Sequence, residues 1–457
     1  MTSLNSFNAI SPIDGRYRAE VLPLSDYFSE AALMRYRLQI EIEYLIALSA
    51  EPNLKELPAF SAQIQVALRE CYENFSEADA GAIKSLEATT NHDVKAVEYF
   101  LKNFISQHLP TVNPEWVHFA LTSEDVNNLA YGLMWQEAVQ QVYLPELQRV
   151  NTVLQHLAEA EAETSLLALT HGQPATPTTL GKEIAVFVAR LERQREVLQS
   201  HRLLGKLAGA SGTWGAHQIA CPDVNWPQFT RTLVERLGLE PNLTVTQIES
   251  HDSLAENFHI LIRVNSILID LCQDMWLYIS REVFRQRAKK GEVGSSTMPH
   301  KVNPIQFENA EGNLKLANSY LHFLAEKLPV SRWQRDLTDS TTLRNQGMPL
   351  AHSFLALKNI LKGLDRVAVN HRQLADELDE HWEVLAEAIQ TVLRKNGHPN
   401  PYEALKALTR GQTIDAEAIR AFVSSLDLPE AEKATLQGLT PAEYTGLAGK
   451  IARGEIG

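Results

Sequence analysis

The segment that decides the fold reads LAENFHILIRVNSILIDLCQDMWLYI and runs from residue 254 to residue 279. Apolar side chains stand on nearly every face of a helix drawn through it, and a helix that is apolar all round is buried by other helices. Those helices can come from the same subunit or from another one. The most apolar part, residues 259–272, is interrupted by Arg263, Asn265 and Asp270. It is therefore too short and too polar to span a bilayer.

Helical spacing continues on both sides of this segment. Pro145 suits the start of a helix, and apolar residues three and four positions apart follow it and recur between residues 184 and 198. Further helical runs cover about residues 309–326 and 350–365, whereas alternating strand patterns are scarce. We therefore predict an all-α fold of three mainly helical domains, the central one of long helices that form a bundle.

Two breaks in the helical pattern suggest where these domains begin and end. The first is the proline-containing stretch at residues 109–114, and the second falls near residues 366–372, after which glycines and prolines divide shorter helical pieces. The predicted boundaries give an N-terminal helical domain at residues 1–112, a central bundle domain at 113–365 and a C-terminal helical domain at 366–457.

Composition limits the possible partners and the compartment. The chain of 457 residues has 56 acidic and 42 basic residues, a formal charge of −14. This argues against a nucleic-acid partner, although a local basic cluster for an anionic substrate remains compatible with it. Cys71, Cys221 and Cys272 lie far apart and indicate neither a disulfide framework nor a thiolate zinc site. The first residues lack a secretory pattern, so we expect a cytoplasmic protein without a membrane partner.

The segment GSSTMPHKVNP at residues 294–304 is the richest in functional groups. It offers two hydroxyls, the cation of Lys301 and the amide of Asn303 on a chain stiffened by Pro299 and Pro304. This combination suits a loop that closes over an anionic substrate. An ordinary surface loop with common turn residues explains the same residue types equally well.

A second segment, THGQPATP at residues 170–177, places His171 between two helical runs. A neutral imidazole can donate or accept a proton near physiological pH. The residues alone slightly favour a plainer interpretation, a histidine that caps a helix in a turn.

These segments do not stand alone. Further motifs are TTNHDVK at residues 89–95, TSED at 122–125, RWQRDLTDS at 332–340 and DGRY at 14–17. Together with the 294–304 loop they resemble the fumarase/aspartase superfamily, whose members release fumarate from succinyl-containing substrates. Within it, the Arg-Asp-Leu-Thr-Asp-Ser and Asp-Gly-Arg-Tyr segments are similar to the bacterial adenylosuccinate lyases. The similarity runs from about residue 9 to the C-terminal region.

This resemblance implies a reaction and an assembly. The substrates would be adenylosuccinate, cleaved to AMP and fumarate, and the succinyl-carboxamide imidazole ribotide (SAICAR), cleaved to AICAR and fumarate. The reaction would be an anti β-elimination in purine biosynthesis, without cofactor or metal. The resemblance also implies a homotetramer, with the long helices of four subunits in one central bundle and with active sites shared between subunits.

The resemblance also assigns catalytic roles. Ser295, in the catalytic loop 291–304, would take the carbon-bound proton, although serine is a weak base unless its oxyanion is stabilised. His171 would protonate the leaving nitrogen. His92 is the second candidate for the acid, and we assign it to substrate positioning. The alternative for His92 is a helix start that Thr90 or Asn91 caps.

The remaining predicted contacts are to the substrate's anionic groups. Lys301 and Asn303 would grip the succinyl carboxylates, and Thr122 and Ser123 would add donors at a helix start, which is an anion site even where it is also an ordinary cap. Arginine supplies forked donors to phosphate, but arginines more often lie in surface ion pairs. The predicted substrate-binding residues are Arg16, Tyr17, Asn91, His92, Asp93, Thr122, Ser123, Gln247, Ser296, Lys301, Asn303, Arg335, Ser340 and Arg344.

Other interpretations stay open at this stage. Another fumarate-releasing enzyme such as argininosuccinate lyase would not need the arginines of residues 335–344, and a non-catalytic helical scaffold could keep the fold. His251 and His259 stand eight residues apart on an expected helix, where structural roles are commoner than metal binding. The sequence contains neither a P-loop nor a dinucleotide-binding fingerprint.

Overall fold

The computed structural model describes residues 5–287, 298, 301–409 and 414–456, and its architecture is mainly helical, as predicted. The helices are α1 Arg18–Val21, α2 Ser25–Phe28, α3 Glu30–Ser49, α4 Ala62–Glu73, α5 Glu77–Thr90, α6 Asp93–His108, α7 Ser123–Ala138, α8 Leu144–Ala160, α9 Leu180–Ser200, α10 Gly215–Ala220, α11 Trp226–Leu237, α12 Asp252–Ser280, α13 Ile305–Lys327, α14 Thr338–Leu343, α15 Gly347–Leu364, α16 His371–Asp379, α17 Ala386–Lys395, α18 Pro401–Thr409, α19 Ala416–Ser425, α20 Glu430–Gly438 and α21 Ala448–Ala452.

Short elements connect these helices. The 3₁₀ turns are Leu22–Leu24, Pro114–Trp116, Trp382–Leu385 and Pro441–Glu443. The strands are β1 Ser165–Leu166, β2 Leu169–Thr170, β3 Gln173–Pro174, β4 Thr178–Thr179, β5 Leu204–Gly205, β6 Glu240–Pro241, β7 Phe284–Gln286 and β8 Val367–Val369. The pairs β1–β4, β2–β3 and β7–β8 are antiparallel, and β5–β6 is parallel. These strands of two or three residues pair within the connections between helices.

The long helices confirm the main sequence prediction. The opening segment lies inside α12, where Phe258, Leu261, Leu268 and Leu271 are fully buried. Trp276, near the end of α12, remains 43% exposed. Helix α12 is thus buried along most of its length, and no helix in the described part of the chain is both long enough and apolar enough to cross a membrane.

The helix that carries Pro145, α8, continues directly from α7. A π-helical turn, Val139–Tyr143, leads from α7 directly into α8, so Pro145 occupies the first turn of a helix that continues an earlier one. Proline has no N–H to donate to the preceding turn, and an irregular turn just before it accommodates that loss. The expected start at Pro145 is therefore a local change of winding within one helical run.

The chain forms two compact units, each built from three separate segments. Unit 1 comprises residues 1–147, 194–266 and 312–358, and unit 2 comprises residues 148–193, 267–311 and 359–457. In unit 1, α3 packs against α4, α6 and α7. In unit 2, a small core joins α17, α19 and α20 through residues such as Leu393, Val423 and Leu436. The boundaries of the three predicted domains stay a prediction.

Candidate active site

The start of α7 is fixed by a buried ion pair in unit 1. The ammonium of Lys206 lies 2.7 Å from the carboxylate of Asp125, and neither side chain is exposed. Asp125 also accepts the N–H of Thr122 at 2.9 Å and that of Ala208 at 2.9 Å. Thr122 precedes α7 and Ser123 is its first residue, so both occupy the predicted helix start. A helix N-terminus held in this way favours a bound anion.

The loop before α7 has an unusual backbone. His118 and Ala120 have φ values of 60° and 56°, in the left-handed region that residues other than glycine seldom adopt. The hydroxyl of Tyr44 donates to the carbonyl of Phe119 at 2.8 Å, and Nδ1 of His118 lies 2.5 Å from the carboxylate of Glu41. Burial lowers the pKa of His118, but Glu41 more than offsets it and the net shift is upward. Such strained positions persist where the surroundings hold them.

His92 caps α6 itself, in place of the expected Thr90 or Asn91. Its Nδ1 accepts the N–H of Lys95 at 3.1 Å, and Asn91 before it is left-handed with a φ of 50°. When Nδ1 accepts a hydrogen bond, the proton of a neutral imidazole is on Nε2. His92 is exposed, so its ring can present an N–H donor to a ligand.

Asp93 joins two arginines at the start of α6. Its Oδ2 lies 2.8 Å from Arg37 and 2.6 Å from Arg344, and Arg344 also contacts Glu30 at 3.2 Å. Burial raises the pKa of Asp93, but Arg37 and the other donors overcome it and the net shift is downward. Asp93 therefore carries charge at neutral pH and fixes the Arg344 guanidinium.

Arg335 is held from two sides. Its guanidinium lies 3.2 Å from Glu124 of α7 and 3.8 Å from Asp339 of α14, and its side chain is 13% exposed. The N–H of Ser340 donates to the Asp339 carboxylate at 2.6 Å. Arg335 therefore links Asp339, in the first turn of α14, to Glu124, the residue that follows Ser123.

Two further predicted contacts lie in unit 1. The guanidinium of Arg16 lies 5.8 Å from the centre of the Tyr17 ring, within cation–π range. The amide of Gln247 donates to the carbonyl of Ala210 at 2.9 Å. Nearby, the backbone of Gly212 lies close to that of residues 245 and 246: its φ is +74°, and a Cβ there would lie 2.3 Å from the carbonyl oxygen of residue 245.

His171 lies at the tip of a β-hairpin in unit 2 and does not cap a helix. Strands β2 and β3 pair Thr170 with Gln173, which leaves His171 and Gly172 as a two-residue turn. Their φ values of 54° and 73° are both positive, as tight hairpin turns require. His171 is exposed, so its imidazole is presented to solvent.

The catalytic loop is described only in part. Ser295 and Ser296 lie outside the described residues. Lys301 is exposed and its N–H donates to the carbonyl of Met298 at 3.1 Å, while Gln286 donates to the carbonyl of Val302 at 2.8 Å. Asn303 is half-buried beside them. These contacts fix the end of the loop just before α13.

Comparison with known proteins shows to which family the chain belongs. The family model described as "Lyase" matches residues 15–318, and the model described as "Adenylosuccinate lyase C-terminal" matches residues 331–445. The chain is 50% identical over 447 residues to the curated adenylosuccinate lyase of Escherichia coli (strain K12), covering 97% of this chain and 98% of that protein. This chain belongs to the adenylosuccinate lyase family. Relatives named adenylosuccinate lyase from Haemophilus influenzae and Dictyostelium discoideum are each 49% identical, over 97% of this chain and 98% and 97% of theirs.

Solved structures support the fold of this adenylosuccinate lyase family member. The 3-carboxy-cis,cis-muconate lactonizing enzyme from Pseudomonas putida matches with a TM-score of 0.73 at 22% identity, over 94% of this chain and 95% of that one. A fumarate lyase from Mesorhizobium sp. BNC1 matches with a TM-score of 0.74 at 17% identity, over 94% and 96%. At these identities the likeness concerns the fold.

The predicted site residues of this family member fall into two sets. Those in unit 1 are Arg16, Tyr17, Asn91, His92, Asp93, Thr122, Ser123, Gln247, Arg335, Ser340 and Arg344, and those described in unit 2 are His171, Lys301 and Asn303. Within unit 1 the structure brings Asp93 directly to Arg344 and brings Arg335 to the residue after Ser123. The roles of these residues stay predictions.

The residues that surround Arg335 are not recognisable in the sequence. Glu124 occurs there only as part of a helix-start motif, and the sequence predicts His251 on a helix with His259. The structure puts His251 before α12, buried and with a φ of 63°, whereas His259 lies on α12 and is exposed. A left-handed buried histidine beside two acidic residues has no local sequence signal, because its neighbours are distant in the chain.

Proposed function

We propose that this chain cleaves adenylosuccinate to AMP and fumarate, and SAICAR to AICAR and fumarate, in purine nucleotide biosynthesis. The proposal rests on one observation: relatives about half identical over nearly the full length of both chains are named adenylosuccinate lyase. The predicted phosphate-binding arginines are present here, and Arg335 and Arg344 are each held by carboxylates. An enzyme that acts on an amino-acid substrate would not need them.

The proposed chemistry is an anti β-elimination. The oxyanion of Ser295 takes the proton from the carbon next to a succinyl carboxylate, the electron pair moves to form the double bond of fumarate, and the carbon–nitrogen bond breaks. His171 gives its proton to the leaving nitrogen. Lys301, Asn303 and the N-terminus of α7 at Thr122 stabilise the negative charge that builds up on the carboxylate.

The direct test is release of fumarate by the purified protein. We expect fumarate from adenylosuccinate and from SAICAR, followed by its absorbance or by a coupled assay. Argininosuccinate serves as the contrasting substrate and should give no fumarate. A folded protein that left adenylosuccinate intact would overturn the proposal, and turnover of argininosuccinate instead would point to the other member of the superfamily.

Arg335 is predicted to bind the substrate's phosphate. Replacing Arg335 by lysine keeps the charge but removes the fork that matches phosphate, so AMP should bind about tenfold or more weakly, and Arg335→Ala more weakly still. Titration calorimetry measures both dissociation constants. Arg332→Lys is the matched control, because Arg332 lies in the same segment with its side chain 80% exposed. Normal AMP affinity in both Arg335 variants would remove the phosphate role.

The proposed assembly is a homotetramer with shared active sites. Helix α13 carries an exposed apolar stripe of Leu316, Tyr320 and Phe323, which are 52%, 37% and 55% exposed and spaced on one helical face. The exposed tip at His171 fits a residue that completes a site on another subunit. Sedimentation or light scattering should give a mass of four chains.

Shared sites make a sharper prediction about mixed tetramers. His171→Ala and Ser295→Ala should each be nearly inactive alone. After dissociation and reassembly of an equal mixture, about a quarter of the sites should combine an intact His171 from one chain with an intact Ser295 from another, because closed symmetry repeats each site identically. Turnover of adenylosuccinate should return to about that fraction. A mixture that stays inactive after verified subunit exchange would place both residues of a site on one chain.

A further inference from the structure

Four buried polar atoms without a hydrogen-bond partner lie in unit 1 around Arg335. They are Oε1 of Glu124, Nε2 of His251, Oδ2 of Asp339 and Nε of Arg335 itself. Glu124, His251 and Asp339 are only 1%, 5% and 5% exposed. Each of these three offers an atom that lies within 4.8 Å of the others. They converge from the start of α7, the residue before α12 and the first turn of α14.

Two buried carboxylates beside an imidazole require a compensating positive charge. A buried charge is costly unless it is paired or neutralised. The Arg335 guanidinium supplies one positive charge, 3.2 Å from Glu124 and 3.8 Å from Asp339. One further proton makes the group neutral as a whole. A divalent cation would instead stand beside the guanidinium and leave an excess positive charge in the interior, so a proton fits better.

The ionisation of each member agrees with this arrangement. Burial raises the pKa of Glu124 to about 8, against the opposing effect of Arg335. Burial also raises the pKa of Asp339, and it lowers the pKa of His251 to about 4. The imidazole is therefore neutral at physiological pH, and Glu124 is the member that binds the proton most strongly. The charged and titratable groups that surround the cluster are Asp125, Tyr131, Lys206, Asp252, Lys327, Arg335 and Asp336.

We propose that Glu124, His251 and Asp339 form a positioning cluster, which holds the guanidinium of Arg335 for the substrate's phosphate and keeps a single proton on its two carboxyl groups beside the neutral imidazole. This inference rests on the proposed function, since it takes Arg335 as a phosphate ligand. Asp339 then balances the charge of the guanidinium, and the protonated Glu124 adds no second negative charge beside it. Because Glu124 directly follows Ser123, the cluster also ties the nucleotide contact to the proposed carboxylate site at the start of α7.

Binding of AMP tests the positioning role. Glu124→Ala should weaken AMP binding about tenfold, whereas Glu124→Gln, which imitates the protonated acid, should retain most of the affinity. Contacting residues that act through one group are not additive. The double variant Glu124→Ala with Arg335→Lys should therefore bind AMP about as well as Arg335→Lys alone. Additive losses, or unchanged affinity in Glu124→Ala, would overturn the proposal.

Thermal unfolding as a function of pH tests the proton without using any ligand. A carboxyl group whose pKa rises from its usual 4.5 to about 8 on folding stabilises the protein fully below 4.5, and this contribution is lost as the pH rises to about 8. Glutamine does not titrate. The melting temperature of wild type should therefore fall relative to that of Glu124→Gln between about pH 5 and pH 8.

Two results of this experiment would overturn the shared proton. One is a constant difference in melting temperature across that pH range. The other is a rise in the melting temperature of chelator-treated wild type on adding Zn²⁺ that Glu124→Ala abolishes, because a cation would then occupy the cluster. Wild type that fails to bind AMP at all would instead count against the proposed function, and the pH experiment would still decide the state of the cluster.

Discussion

Replacing His171 by alanine is expected to slow turnover of adenylosuccinate by roughly 10²–10⁴-fold, the usual contribution of a general acid. His171 is exposed at a hairpin tip, so the loss should appear without unfolding. Turnover at saturating substrate and the melting temperature should be measured together. The rate should fall while the melting temperature changes little.

The backbone at His171 calls for a second variant. Its φ of 54° is left-handed, a conformation that asparagine tolerates better than alanine. His171→Asn therefore removes the acid and keeps the turn, and it should be as slow as His171→Ala. His108→Ala, at the exposed end of α6, is the control and should keep wild-type turnover. Near-normal turnover in His171→Asn would remove the general-acid role.

Replacing Lys206 by methionine is expected to lower the free energy of unfolding by about 3–5 kcal/mol, because removing one partner of a buried pair leaves the other charge uncompensated. Asp125, which would be left without its ammonium partner, is fully buried and also orders the residues around Thr122. Denaturant unfolding followed by far-ultraviolet circular dichroism measures the change, provided that the transition is reversible.

An exposed lysine provides the matched comparison. Lys84 pairs with Glu87 at 2.7 Å, but the Lys84 side chain is 51% exposed. Lys84→Met should cost less than about 1 kcal/mol, as surface ion pairs usually do. An equal decrease in the free energy of unfolding in Lys206→Met and Lys84→Met would show that burial does not make the Lys206 pair the more important one for stability. The relative loss is the quantity to compare, since both substitutions remove the same ammonium.

The long helices could be predicted because their signal is local and repeated. In α12, apolar residues recur over many turns, and burial of Phe258 and Leu271 follows from that spacing. The strands could not be predicted in the same way, because two or three residues are too few to show alternation. The His-Gly pair at residues 171–172 did contain a turn signal, and its two positive φ values are what a tight hairpin needs.

The candidate site was predictable as a set of residue types but not as an arrangement. The motifs identified Arg335 and Arg344, and the structure added the carboxyl groups of Glu124 and Asp93 that hold them. Such contacts join segments more than a hundred residues apart, so no local pattern contains them. The cap of α6 could not be predicted either. Residues 90, 91 and 92 each offer a hydrogen-bond acceptor, and only the structure shows that His92 is the cap.

The three-segment composition of each unit has a consequence for synthesis. Unit 1 needs residues 1–147, 194–266 and 312–358, so a chain leaving the ribosome cannot complete it before residue 358 has emerged. Unit 2 needs residues up to the C-terminal segment as well. Domains normally fold as units during translation, and contacts between distant segments slow that step. During much of its synthesis this chain therefore has apolar helix faces whose packing partners have not yet been made.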